Sequence, residues 1–140
     1  MSNFNIPKFP SIKDSLHLEL RKRVNEYFEE NNISATGNFS LFSKAIILVS
    51  LFIAVYIHLV FFMPPWYFAI PECLALGGLM ASIGFNIMHD GSHGSFSKHK
   101  WQNKLATYSL NMLGANHFMW NMKHNMIHHS LTNVDGVDDD

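Results

Sequence analysis

Cys73 is the only cysteine in this 140-residue chain. That excludes an internal disulfide framework and a structural zinc site built on several thiolates. Lying in an apolar run, Cys73 is expected to be an inert, buried thiol. Basic residues are also too sparse to track phosphates: ten Lys and Arg against eleven Asp and Glu give a formal charge of -1. They form no long stripe, which excludes a nucleic-acid surface. The lead-in Met1–Pro10 lacks the basic start, apolar core and cleavage site of a signal peptide. Neither an internal repeat nor a low-complexity segment is present. What the chain has in surplus is apolar surface, 48% hydrophobic and 14% aromatic residues, which has to be buried somewhere.

The apolar residues are ordered along the chain. Ser11-Ile12-Lys13-Asp14 resembles a capping box, and Leu16, Leu20, Val24 and Tyr27 or Phe28 recur at helical spacing through Asn31. This predicts an amphipathic surface helix docked on its own domain, with a position on the lipid interface as the alternative. After a polar stretch containing Gly37, residues 41–63 are almost continuously apolar, broken only by Ser43, Lys44, Ser50 and His58. Pro64-Pro65 forces a turn, and residues 66–88 form a second run of similar length. Each approaches the ~20 residues needed to cross a bilayer, so the pair predicts a transmembrane hairpin rather than the core of a soluble helical protein. Pro71 and Glu72 fall near the start of the second run, so its membrane core is expected to begin after them. Gly77, Gly78 and Gly84 are expected to allow close helix packing.

All ten Lys and Arg lie before or at the start of the first run, or after the second. By the positive-inside rule both termini are cytoplasmic, with Trp66 and Tyr67 at the outer interface. Residues 98–123 are too polar to cross; Trp101, Leu105, Tyr108 and Met112 share one helical face, as in a helix lying at the cytoplasmic interface. The expected fold class is therefore all-α: a two-span membrane hairpin preceded by an amphipathic helix and followed by interfacial helices. Residues 1–40 form a cytoplasmic N-terminal segment and residues 41–140 the membrane domain.

Most of the nine histidines fall from His89 onward. His89-Asp90-Gly91-Ser92-His93 ends the second run, and His124-Asn125-Met126-Ile127-His128-His129 follows the interfacial segment. Positions i and i+4 share a helical face, so His89 with His93, and His124 with His128, can each grip a metal ion. His129, turned by roughly 100°, can reach a neighbouring one. Five imidazoles in two clusters suit two metals better than one. Ligand type leaves iron, zinc, copper and nickel open. A zinc protease needs Glu after the first His; Asp90 and Asn125 stand there instead.

The two boxes, their separation, and the flanking Trp120-Asn121-Met122-Lys123 and Thr132-Asn133-Val134-Asp135-Gly136-Val137-Asp138-Asp139-Asp140 resemble the membrane fatty-acid desaturase family. The likeness is nearest to bacterial acyl-CoA (linoleoyl-CoA-type) and front-end members, and covers roughly residues 41–140. It implies that His89, His93, His124, His128 and His129 ligate a di-iron centre. It also implies O2-dependent introduction of a C=C bond into a fatty acyl chain, held as acyl-CoA or acyl-lipid. The family's third box, Gln-x-x-His-His, follows two further spans, and some members carry a cytochrome b5 domain; neither is in this sequence. The chain is therefore expected to be an N-terminal part, inactive alone, that needs the C-terminal half and a separate electron donor of ferredoxin or cytochrome b5 type.

Asp90 and Asn125 are candidates to orient ligand imidazoles from behind, with plain helix-end polarity as the alternative. His99 and His117 are expected to hydrogen-bond at the surface and His17 to be solvated. His58, ionisable within a span, is a functional suspect unless it reaches the outer interface. Asp135 and the terminal aspartates either contact metal-bound solvent or a headgroup, or form a solvated acidic end. Two other readings compete with desaturation: a hydroxylase or ketolase of the same superfamily, and a non-enzymatic membrane hairpin binding metal or haem.

Overall fold

Residues 15–138 are described by the computed structural model; Met1–Pro10, the Ser11–Asp14 capping signature, Asp139 and Asp140 lie outside the described residues. Among the described residues every regular element is helical. α1 (Leu16–Glu30) is capped by Ser15, whose side chain accepts from Leu18 N at 3.3 Å. Glu19 pairs with Arg23 and Glu26 with Lys22 at i,i+4 spacing. The apolar stripe of α1 is not docked: Leu16, Leu20, Val24 and Tyr27 are all exposed. This corrects the expectation of a helix packed on its own domain: among the described residues the stripe has no core to join.

α2 (Phe39–Ile57) is capped by Asn38, which accepts from Leu41 N at 3.1 Å. It runs on through a π turn, His58–Phe62. Met63, at φ 43°, and the two prolines reverse the chain. α3 (Trp66–Ile83) carries Pro71 inside it, then passes through a second π turn, Gly84–Met88, into α4 (His89–Ser92). The result is two long apolar rods, Phe39–Phe62 and Trp66–Ser92, packed side by side. Only 11% and 6% of their most apolar windows are buried. A core helix of a soluble protein of this hydropathy would be wrapped by neighbours; these rods instead expose Ile46, Ile47, Leu51, Phe61, Phe68, Leu74 and Phe85, the surface of helices whose solvent is lipid.

Two polar bridges tie the rods. At one end Lys44 Nζ donates to Asn86 Oδ1 at 2.7 Å. At the other, His58 Nδ1 lies 2.8 Å from Glu72 Oε2. Glu72 thus lies within the helix that starts at Trp66, and His58 has a partner across the hairpin. Cys73 is exposed, contrary to expectation, because nothing among the described residues covers that flank.

The core lies at the Lys44 end. Ile83, Ile87, Phe52, Ala45, Phe96 and Ala106 form one buried cluster, with Phe42 edge-on to Phe96 at 5.1 Å. α5 (Lys100–Met112) buries Ala106 and Leu110 and leaves Trp101, Leu105, Tyr108 and Met112 exposed along one face, as their spacing predicts. A Cβ on Gly77, Gly78 or Gly84 would meet nothing within 4 Å, so among the described residues these three do not serve close packing. The tight approaches are elsewhere. A Cβ on Gly37 would lie 2.2 Å from Phe96 O, and one on Gly91 would lie 2.6 Å from Ala106 Cβ and 2.8 Å from both Asn103 O and Thr107 N.

Candidate metal centre

The first box is an extension of the second rod. Through Gly84–Met88 the backbone bonds i→i+5, and the His89 N–H returns to Gly84 O. This inserts one residue into the turn, a distortion often found at functional sites. Ile83, Ile87 and Met88 are buried there, so the turn is anchored when His89 emerges from it. Gly91, between the two histidines, lets α5 close against α4. Gly94, at φ 74°, then turns the chain back, and Ser95 N and Phe96 N both donate to Asp90 O at 2.9 and 3.2 Å. Asn103 on α5 fastens the returning loop: it accepts from Ser97 N at 2.7 Å and donates to Gly94 O and Ser97 O at 3.1 and 2.7 Å.

The second box lies on a longer π-helical stretch, Asn121–His128, entered through α6 (His117–Trp120) and left through α7 (His129–Leu131). Asn116 caps α6 by accepting from Phe118 N and Met119 N. Asn125 Nδ2 crosses between the boxes, donating to Ser92 O at 3.1 Å and to Asn121 Oδ1 at 2.8 Å.

These supports bring the five box histidines together. His93 has ring centroids of His89, His124 and His129 at 4.5, 5.5 and 4.7 Å. His124 lies 5.4 Å from His89, 4.9 Å from His129 and 5.2 Å from His128, stacked on the last at 17°. Trp120 covers the His124 ring at 4.4 Å. Ligand nitrogens of His89, His93 and His124 all lie within 4.8 Å of one another. The tightest triad therefore draws on both boxes, where helical spacing pairs each box within itself. Two nitrogens sharing one ion at ~2.1 Å sit up to ~4.2 Å apart, so small ring rotations would bring this triad within reach of a single ion. An all-imidazole donor set of this kind fits iron, which imidazole suits among other transition metals.

Electrostatics favour the metal-ready form at His93. Its pKa is held below the ordinary imidazole value, first by partial loss of hydration and then by the neighbouring His89, His129 and His124 rings; Asp90 opposes this weakly. A neutral ring offers a lone pair. Asp90 stands 3.8 Å from His89 Nδ1, and its backbone carbonyl accepts from Ser95 N and Phe96 N. Asn125 Nδ2 donates to Ser92 O and Asn121 Oδ1.

The remaining histidines stay apart. His17 and His99 are exposed. His117 Nδ1 lies 2.9 Å from Asn111 Oδ1, with its ring edge-on to Tyr108 at 4.4 Å, the hydrogen-bonding role expected of it. The sequence missed the close packing at Gly91 and left the terminal aspartates between a contact to metal-bound solvent or a headgroup and a solvated acidic end. Gly91 lies inside the first box, where Asp-Gly-Ser reads as a helix end. Asp138 belongs to the terminal aspartates but is buried against His128, and only the turn residues Asn133 and Gly136 hint at the fold-back that brings it there.

Residues 64–140 match the family model described as fatty acid desaturase. Among curated proteins the chain is similar to sn-1 linoleoyl-lipid 6-desaturase of Arthrospira platensis, 35% identical over 120 residues that make up 86% of this chain and 33% of that protein. It is also similar to acyl-lipid (8-3)-desaturase of Physcomitrium patens, at 32% over 127 residues, 91% of this chain and 26% of that one. A third relative, sn-1 linoleoyl-lipid 6-desaturase of Synechocystis sp., is 28% identical over 119 residues, 85% and 33% of the two chains. The chain thus spans about a third or less of the length of these relatives. No solved structure matches it. With two apolar rods, a histidine cluster drawn from both boxes, and a family match over more than half its length, the chain belongs to the fatty acid desaturase family.

Proposed function

We propose that this chain carries the membrane hairpin and the first two histidine boxes of an acyl-lipid desaturase, with His89, His93, His124, His128 and His129 as ligands of a di-iron centre. The observation that carries the reading is the meeting of His89, His93 and His124 nitrogens within 4.8 Å, with His128 and His129 rings beside them. The reaction is removal of two hydrogens from adjacent acyl carbons, with O2 and two electrons and two protons from a donor of ferredoxin or cytochrome b5 type, giving a C=C bond and two waters. Bound iron supplies the oxidant for an unactivated C–H bond, which side chains cannot provide. The chain's own part is to hold the lipid tail on apolar helices and the ligands beside it.

The dimensions support that division. A rod of 27 residues is ~40 Å long, against a hydrocarbon core of ~30 Å. With Trp66 at the outer interface, about 20 residues lie in lipid and the rod leaves it near Asn86. Lys44, bridged to Asn86, then marks the same boundary on the first rod, and His89 and His93 stand just outside it. The basic residues put that side, and both termini, in the cytoplasm.

The test is metal analysis and spectroscopy of the chain purified in detergent with the C-terminal part of a relative supplied, after anaerobic addition of ferrous iron; the chain by itself is expected to bind iron poorly. Iron bound in proportion to the five histidines, without a Soret band, supports the reading. A Soret band, or binding untouched by His93→Ala and His124→Ala, overturns it. Activity is assayed separately, by lipid analysis of cells expressing the chain alone and together with the C-terminal part of a relative.

A further inference from the structure

The segment after the second box has no role in the metal reading so far, yet it is folded with care. Thr132 Oγ1 donates to His128 O at 2.5 Å, closing α7. Asn133 and Gly136 both take left-handed backbone, φ 60° and 72°. Val134 N returns to Leu131 O, and Val137 N and Asp138 N both return to Val134 O, at 3.0–3.1 Å. This double reversal brings residue 138 back to the helix it has just left. The Asp138 side chain is 4% exposed. Its Oδ1 and Oδ2 lie 3.1 and 3.0 Å from His128 Nδ1, and Oδ2 also accepts from Asn133 N at 2.8 Å.

We propose that Asp138 is a positioning residue for the metal centre, fixing His128 in the tautomer that carries its proton on Nδ1 and turns a lone pair on Nε2 toward the other imidazoles. An ionised carboxylate only accepts, so the nitrogen facing it is the one that bears hydrogen. In a neutral imidazole the other nitrogen is then the sole available donor to a metal. The carboxylate also makes the ring a stronger ligand, as hydrogen-bonded partners behind metal-bound histidines do. His128 needs this more than its neighbours. It lies at the edge of the cluster, stacked on His124 and 5.4 Å from His129, outside the tight triad of His89, His93 and His124. Its orientation is therefore set from behind rather than by crowding. Asp138 in turn accepts from the Asn133 N–H, so the loop brings its carboxylate to the His128 ring.

This inference rests on the metal reading above, and its test separates the two. The full chain is labelled with 15N-histidine in detergent micelles without metal, at mildly alkaline pH, and the His128 signals are assigned with His128→Gln. Proton–nitrogen correlation spectra then read the tautomer. The Nδ1–H form is expected in the parent chain and in Asp138→Asn, whose amide oxygen still accepts; Asp138→Ala is expected to shift toward the Nε2–H form common in water. In a parallel titration with Co2+, Asp138→Ala should weaken binding on the order of 10–100-fold, and the His128→Ala/Asp138→Ala double variant should be no worse than His128→Ala alone. An Nε2–H tautomer in the parent chain overturns the proposal, as do effects of the two alanine variants that add in full. A parent chain that shows the Nδ1–H tautomer but binds no Co2+ even with the C-terminal part of a relative supplied supports the positioning contact and overturns the metal reading instead.

Discussion

More imidazoles converge on His93 than the spacing of its own box requires, since its ring meets His89, His124 and His129 together. Its lowered pKa has a directional consequence. Between that value and the ordinary 6.5 the unfolded chain binds a proton that the folded one refuses, so folding is disfavoured as pH falls through this window and is unaffected by the ring above it. Thermal melts of the metal-free chain should therefore lose stability on acidification below about 6.5, less so in His93→Gln. Persistence of the full slope in that variant would show that other groups set it. Ligand substitutions should separate the histidines more sharply. With the C-terminal part of a relative supplied, His93→Ala or His124→Ala should abolish tight iron binding, whereas His99→Gln and His117→Gln should leave it at parent level, as read by metal content after desalting. The five ligand candidates were legible in the sequence because their spacing is local. That the nearest triad mixes both boxes was not, because it depends on two π-helical stretches whose extra residue per turn leaves no mark in the residue pattern.

At the level of elements, the seat of the first box is the packing of α4 on α5, and that depends on one missing side chain. Gly91→Ala puts a Cβ within 2.8 Å of backbone atoms of Asn103 and Thr107, neither of which is a flexible tip that can swing aside. Overpacking of this kind costs ~1–3 kcal/mol, and here the strain falls between His89 and His93. Gly91→Ala should thus lower both the unfolding midpoint and iron affinity. Gly77→Ala and Gly78→Ala, with open space around them, should be neutral or should stabilise the rod by up to ~1 kcal/mol through helix propensity. Equal losses at all three positions in a denaturation series would contradict the packing account. Both rods could be read from run length and the two prolines between them. The tight glycine could not, since periodicity singles out glycines within the span while the crowding arises from a helix nine residues further on. α1 shows the reverse failure. Its stripe was read correctly as helical, but a helical pattern does not say what covers it.

For the molecule as a whole, the hairpin is pinned near both ends, by Lys44 with Asn86 and by His58 with Glu72. The second pair lies within the apolar rods, where a lone ionisable group is costly. Glu72→Ala should strip His58 of its partner and weaken the hairpin by about 1 kcal/mol, the scale of polar contacts between membrane helices. Replacing both by Phe and Leu should recover most of that, because the isolated polar group is gone. Unfolding in mixed micelles would show the recovery, and additive losses would rule out coupling. Neither residue announces its partner in the sequence, though their similar distances from the Pro64-Pro65 turn make the pairing explicable afterwards.

One consequence follows from the unbroken helix that joins Trp66 to the first box. Because the first-box histidines ride on the end of this apolar rod, their height above a bilayer would not be independent of that bilayer. Bilayers with shorter tails expose more of the rod and tilt it further, while longer tails draw its tip inward. The same chain reconstituted across a series of acyl lengths should then shift the accessibility of its imidazoles to water-soluble quenchers and chelators, so that bilayer thickness becomes a variable of the chemistry rather than its backdrop.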